Sequence, residues 1–461
     1  MIAFDFRGMT MMRISLRNLL SFIVIILLSC AAAFSQNSTP LPELRSKRLL
    51  NDLQVTVAPT SYLGSDLAIG LVIRYGAIYD LAGKEGVASI VSRMLAKATL
   101  ERTAQDIQNE LDYLGASLDV QCDWDGFRMI LRGQSSSVER SLLLLYQVAA
   151  EAQFNEADFT AAKKSILEEL QKSPDPRQRI RAQFEEILFG GTRYGKPLAG
   201  SSRSLVNISL GDVRYFYRRF FSPSQAALII VGDVSARQVL QQAARIWGIW
   251  VRSEDIPFTF KPAIKPAGRQ IYIEDDPTSP AAQFIVGNLF LRREDADYGS
   301  ALLASRILQE RLTKLLPTSL LTVGIEGRRM PGPFYIQGQA AAEQAVEQIQ
   351  KIEKAAEDMK FSAISAEELD AVRRQVLDEF DRELRAVAGV CSILLDAELY
   401  RLGSNYAAGF PDQIRRCDAD AIRQAAKNYL IPDGEVLLVR GPSSLLKPRL
   451  NPLGTLQQLA P

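Results

Sequence analysis

The sequence predicts an α+β protein, a tandem repeat of two homologous α/β sandwich domains, each with helices packed on a mainly antiparallel sheet. Three observations carry this. A chain of 461 residues is too long for one hydrophobic core. The same order of apolar segments occurs twice. Within each half the strand-like and helix-like segments come in runs, the pattern of layered α+β packing.

The repeat is visible at four places. Ile285-Val286-Gly287 matches Ile69-Gly70-Leu71, 216 residues earlier, and Leu303 to Leu308 echoes Ile90 to Leu95, with Arg306 standing 213 residues after Arg93. Val376-Leu377-Asp378-Glu379-Phe380 echoes Ile166-Leu167-Glu168-Glu169-Leu170 at an offset of 210, and Val436 to Val439 echoes Leu228 to Val231 at 208. A drift of a few residues is what loop insertions and deletions leave behind.

Along the first half, Leu50 to Pro59 reads as a turn followed by an alternating strand, and Ala68 to Tyr75 as a second strand. Gly86 opens an amphipathic helix in which Val87, Ile90, Val91, Met94 and Leu95 share one face, with Ser89, Ser92 and Arg93 between them. Thr103 to Leu114 is a helix capped by Thr103 and ended by Gly115. Phe127 to Arg132 alternates as a strand. Val138 to Ala152 and Glu156 to Gln171 are long helices, the second broken at Ser173-Pro174. Ala227 to Asp233 is a buried strand ending in a turn. Ser253 to Pro266 carries Pro257, Pro262 and Pro266 with little periodicity and reads as a linker. The expected division is therefore 1–35 for targeting and cleavage, 36–252 for the first domain, 253–267 for the linker and 268–461 for the second domain.

With 47% apolar and 23% charged residues the chain is neither disordered nor a membrane bundle, and a formal charge of +1 with interspersed signs leaves no footprint for nucleic acid. Arg13 and Arg17 precede the apolar run Leu19 to Leu28, and small residues follow through Ser35, which together make an export signal too short to favour a transmembrane helix. Leu27-Leu28-Ser29-Cys30 resembles a bacterial lipobox, which would place a lipid on Cys30; cleavage near Ser35 is the other reading, and Met11 or Met12 competes as the true start. Either route exports the protein, to the periplasm or to a lipoprotein anchor. The membrane then enters only through the signal or the lipid. Cys122, Cys391 and Cys417 would remain, an odd number that allows at most one internal disulfide, and they read as small buried or half-buried residues.

The helix after Gly86 stands where an inverzincin peptidase carries H-x-x-E-H, two His one turn apart on one helix face with a Glu as general base. The frame around it resembles the insulinase/pitrilysin-type metallopeptidase family, which includes the mitochondrial processing peptidases. Further matches are the opening strand from Leu50, then Tyr194-Gly195-Lys196-Pro197, then Phe216 to Pro223, and the strand ending Gly232-Asp233. The resemblance spans nearly all of the chain beyond the signal and implies a metallohydrolase-like fold. It also implies that Ser89 replaces the first zinc ligand, Ser92 the base and Arg93 the second ligand, while Glu169 keeps the third ligand's place. Leu312 and Ser319 fall where active members hold substrate with Arg and Tyr, and Arg329 and Tyr335 are the nearby candidates to substitute. The whole chain contains no His, so no imidazole elsewhere can stand in, and the Cys residues have no ligand spacing.

The reading is of a catalytically inactive member that uses no cofactor. Its expected role is as a structural or peptide-binding subunit, paired as hetero- or homodimer with a catalytic paralogue or with itself. A hydrolase with a relocated metal site and a stand-alone peptide-binding module are the alternatives. Because a lone carboxylate is costly at a former metal site, Arg93 and Glu169 are expected to pair there, with Arg306 and Glu379 as the echo in the second half.

Overall fold

In the computed structural model of the protein, residues 41–172, 175–431 and 434–459 are described. The export segment, Cys30 and the Ser173-Pro174 break lie outside them. The first half runs β1 (Arg45–Arg48), β2 (Gln54–Pro59), β3 (Asp66–Ile73), α1 (Val87–Met94), α2 (Ala104–Tyr113), β4 (Ser117–Cys122) and β5 (Phe127–Gln134). It continues with α3 (Val138–Ala150), α4 (Glu156–Gln171), α5 (Pro176–Phe189), α6 (Ser202–Asn207), α7 (Leu210–Phe220), β6 (Ala226–Gly232) and α8 (Ala236–Trp247). After coil through 251–266 the second half follows: β7 (Gln270–Asp275), β8 (Ala281–Leu289), α9 (Tyr298–Leu315), β9 (Thr322–Ile325) and β10 (Pro333–Ala341). Then come α10 (Ala342–Asp358), α11 (Ala366–Leu384), α12 (Val387–Leu399), α13 (Tyr406–Arg416), α14 (Ala419–Tyr429), β11 (Val436–Gly441), α15 (Ser443–Leu450) and β12 (Leu456–Leu459).

Helix ends follow local chemistry. Thr103 and Asp106 close a capping box on α2, and Gly115 takes the left-handed φ of 56° just beyond its end. Asn155 caps α4 through the Asp158 N–H, and Asp175 with Pro176 starts α5.

The two halves form two six-stranded sheets, in the orders β1-β2-β6-β3-β5-β4 and β12-β7-β11-β8-β10-β9. Antiparallel pairing dominates both, but β2 lies parallel to β6, and β7 lies parallel to β11 and β12. The sheets are thus mixed, because β6 and β11 return after runs of helices, and β12 after α15, instead of through hairpins. The repeat read from the sequence is real at this level, since β3 pairs with β6 as β8 pairs with β11.

β6 is buried along its whole length. Leu228 and Ile230 face the helices of the first half, while Ala227, Ile229 and Val231 face α12 of the second. In the other sheet Leu437 and Val439 face second-half helices, and Val436 and Leu438 join the core that contains Ile180 and Phe184 of α5. Each half therefore lends one helix to cover the far face of the other half's sheet. Two covered faces explain why these strands read as continuous apolar runs without alternation.

The exchanged helices sit on glycines. A Cβ on Gly70 of β3 would lie 2.5 Å from Cys391 Sγ and 2.7 Å from Leu395 Cδ1 of α12, and one on Gly287 of β8 would lie 2.9 Å from Phe184 Cζ of α5. All three described cysteines are free, Cys391 and Cys417 buried and Cys122 half-buried.

Charged pairs stitch the seam between halves. Arg74 reaches Glu398 at 2.6 Å, Arg128 reaches Asp396 at 3.0 Å, and Arg181 reaches Glu326 at 2.6 Å. Buried Arg328 holds Glu185 at 2.8 Å and Glu326 at 2.7 Å, with its guanidinium carbon 4.3 Å from the Trp124 ring centroid. Asp125, buried in the β4–β5 turn, accepts from the Tyr194 hydroxyl and from the Arg329 main-chain N–H at 3.1 Å.

Two predictions follow from this packing. Gly70→Ala should cost about 1–3 kcal/mol in denaturant unfolding, the usual range for overpacking. Adding Cys391→Ala should recover part of it, whereas Gly191→Ala, which meets nothing within 4 Å, should be near neutral. An unchanged midpoint for Gly70→Ala would remove the close helix approach.

The second concerns pH. Desolvation raises the carboxyls of Asp80 and Glu353 to about 7 and also raises Asp125. A folded pKa above its unfolded value near 4 means that the folded state holds the proton longer. The stabilising contribution is complete below about pH 4 and is lost as pH rises to 7. With no His in the chain, little else among the side chains titrates in that window. Tm should therefore fall between pH 5 and pH 7.5, and Asp125→Asn should flatten the slope. A Tm that rises over the same interval would contradict it.

Candidate functional site

The site is built on α1 and α4 at the edge of the first sheet. Gly86 precedes α1 with a left-handed φ of 106°, and a Cβ there would lie 2.8 Å from the Ala199 carbonyl oxygen, so the entry to the helix requires glycine. The Asp80 carboxylate accepts from the N–H groups of Gly86 at 2.7 Å and Ala88 at 3.0 Å, capping the helix from a distance in sequence. Val87, Ala88, Ile90, Val91 and Met94 are buried, which turns Ser89, Ser92 and Arg93 outward.

Arg93 and Glu169 meet. Arg93 Nη1 donates to Glu169 Oε1 at 2.9 Å and Nη2 to Oε2 at 2.5 Å, a two-point pairing of guanidinium with carboxylate. Arg93 Nη1 also reaches Ser165 Oγ at 3.1 Å. These donors hold the Glu169 carboxyl below its ordinary range. The expected echo is present: Arg306 Nη2 donates to Glu379 Oε2 at 2.8 Å in the second half. The serines serve the scaffold. Ser89 Oγ donates to the Leu198 carbonyl at 2.7 Å and Ser92 Oγ to the Val120 carbonyl of β4 at 3.4 Å.

A zinc ion in a protein takes lone pairs from imidazole, thiolate or carboxylate. Here the cluster offers one carboxylate, already engaged, two hydroxyls bonded to main chain, and a guanidinium that has no lone pair to give. These residues do not fit a metal. Among the described residues no three His, Cys, Asp or Glu side chains gather as metal ligands would.

The other sequence candidates lie elsewhere. Leu312 is buried in the second-half core on α9, and Ser319 Oγ donates to Gln348 Oε1 at 3.0 Å. Arg329 donates through Nη1 to the Arg74 carbonyl at 3.0 Å and covers the Phe258 ring at 4.1 Å. Tyr335 lies under the Arg181 guanidinium, 3.6 Å from its carbon. None of the four touches Arg93 or Glu169; Arg329 and Tyr335 belong to the contacts between the halves. The seam arginines Arg74, Arg128, Arg181 and Arg328 went unread in the sequence, because their partners lie about 140 to 320 residues away and no local pattern marks them.

Arg93 and Glu169 remain 35% and 49% exposed, so the pair is a solvated one and not the buried pair whose breakage would cost several kcal/mol. A double-mutant cycle with Arg93→Ala and Glu169→Ala should give a coupling of at most ~1 kcal/mol that weakens with salt. A coupling of 3 kcal/mol or more would mean a drier site than this geometry allows.

Comparison with known proteins identifies the family and the fold. Residues 57–202 match the insulinase (peptidase family M16) profile, and residues 207–376 match the peptidase M16 inactive domain. A protein named an uncharacterized zinc protease from Rickettsia bellii is 24% identical over 230 residues, covering 50% of this chain and 55% of that one. The probable mitochondrial-processing peptidase subunit beta of Arabidopsis thaliana is 23% identical over 257 residues, 53% of this chain and 46% of its own. The chain thus spans about half the length of the curated relatives it matches. The crystal structure of a protease from Helicobacter pylori superposes with a TM-score of 0.81 at 17% identity, covering 87% of this chain and 100% of that one, which establishes the shared fold. The chain belongs to the insulinase peptidases, peptidase family M16.

Proposed function

We propose that this protein is a non-catalytic subunit of an insulinase-type peptidase assembly, which holds extended peptides and completes a chamber with a catalytic paralogue or a second copy of itself. The observation that carries the reading is the Arg93–Glu169 pair. It joins α1 and α4 at the positions that the sequence resemblance gives to metal ligands, and it puts a fixed cation where a neutral donor would be needed. The second half holds a looser counterpart, in which Arg306 meets Glu379 through one hydrogen bond at 2.8 Å.

Peptide holding is supported by the sheet edge. β4 borders the first sheet with β5 as its partner on one side, and Ser92 Oγ ties its Val120 carbonyl to α1. An edge strand paired on one side only is a surface to which an extended peptide can add by strand pairing. Partnership is supported by the relatives' names, which include a processing-peptidase subunit. Export, to the periplasm or to a lipid anchor on Cys30, rests on the basic and apolar run at Arg13 to Ser35.

The test uses the purified full chain. Alone, it should neither bind stoichiometric zinc nor cleave an unstructured peptide in a chelator-sensitive way, and chelator should leave Tm unchanged. Co-expression with a relative that retains H-x-x-E-H should give a stable complex by size-exclusion chromatography. Chelator-sensitive cleavage by this chain alone would overturn the reading.

A further inference from the structure

A cleft lies beside the Arg306–Glu379 pair, among α9, α11, α12 and α13. It has a volume of about 440 Å³, and its lining includes Arg293, Glu379, Phe380, Arg382, Glu383 and Asp396, with Tyr406 and Phe410 beside them. A volume near the lower end for ligand sites suits one or two residues of a peptide.

Arg293 differs from the seam arginines that hold acids. Arg74, Arg128, Arg181 and Arg328 each meet a carboxylate within ion-pair distance. Among the described residues, no salt bridge joins Arg293 to an acid. Its guanidinium carbon lies 4.2 Å from the Tyr298 ring centroid and 5.1 Å from that of Tyr406, and one Nη donates to the Tyr406 hydroxyl. Two aromatic faces hold the planar fork in place, and the acid whose charge reaches it, Asp396, is bonded to Arg128 instead. A half-buried cation kept so is an open acceptor site for an anion.

The neighbouring charges sharpen this. Glu379 is engaged by Arg306 and Asp396 by Arg128. Arg382 donates Nε to the Asp378 carbonyl and adds a second guanidinium to the lining. Glu383 is then the one lining carboxylate without an ion pair among the described residues. An aromatic run continues from Tyr406, with Tyr406 and Phe410 centroids 5.6 Å apart and Phe380 and Phe410 4.9 Å apart.

We infer that this cleft binds a carboxylate carried on an apolar body, namely the C-terminal residue of a peptide. The carboxylate pairs with the Arg293 fork and a large apolar side chain lies on the Phe380–Phe410 wall. The choice of a peptide over a free organic acid rests on the proposed function, whereas the carboxylate chemistry rests on the cleft alone.

Isothermal titration of the full chain tests it, with a tripeptide ending in phenylalanine, the same peptide as its C-terminal amide, and N-acetylphenylalanine. The free-acid peptide should bind at least tenfold tighter than the amide. Arg293→Gln should bring the acid down to the level of the amide, and Glu383→Gln should tighten it several-fold by removing a repelling charge. Phe380→Ala, at a half-exposed position that should tolerate truncation, should also weaken the acid. Equal affinity for acid and amide, absence of binding, or acid binding untouched by both Arg293→Gln and Phe380→Ala would overturn the site. Binding of N-acetylphenylalanine without the tripeptide would overturn the peptide assignment. Capture along β4 uses main-chain hydrogen bonds and is indifferent to C-terminal amidation, so the two readings fail separately.

Discussion

Each sheet has two apolar faces, and the half of the chain that builds it covers only one of them. The rest of the structure depends on how the other face is buried. α12 crosses to the first sheet and α5 to the second, so neither sheet is sealed from water until both halves are present. A sheet face left exposed would present a contiguous apolar patch far larger than a soluble surface usually carries. The exchange therefore couples the halves in folding and fixes their relative placement at the helix–sheet contacts over Gly70 and Gly287.

The charged seam follows from the same exchange. Strand ends and turns that meet across the halves carry main-chain and side-chain polar groups into a partly dry space, where each needs a partner. Arg328 illustrates the solution. Two carboxylates share its charge and the Trp124 face lies against its plane, so that one residue joins α5, the β4–β5 turn and the strand-end loop before β10. Such a pair contributes more to fixing one arrangement than to net stability, because desolvation offsets much of the attraction. The burial that raises the Asp125 carboxyl belongs to the same trade.

At the edge of this scaffold the Arg93–Glu169 pair has a different character. It is exposed enough that water screens it, and it contributes little to stability. Its significance is chemical. A guanidinium in a two-point pairing engages the Glu169 carboxylate, and the hydroxyls of Ser89 and Ser92 are turned to main-chain carbonyls of the scaffold. The helix keeps its buried face, its Asp80 cap and its glycine entry, all of which the fold requires, while its outward residues carry ordinary surface chemistry.

Much of this was legible in the sequence, for local reasons. The periodicity of Val87 to Leu95 and the capping of Thr103 and Asn155 depend on neighbours within a turn, so helices can be read where they stand. The repeat offsets carried the tandem fold. The Arg93–Glu169 pair followed from a resemblance that placed both residues at one site. Only the tertiary structure decided which helix covers which sheet, because an apolar helix face such as that of α12 fits any apolar surface equally well in sequence terms. It alone gave β2 and β7 their parallel neighbours, the seam arginines their distant acids, and Arg293 its place without one. Those outcomes depend on which groups are left facing each other once the sheets are closed, and no spacing along the chain records that.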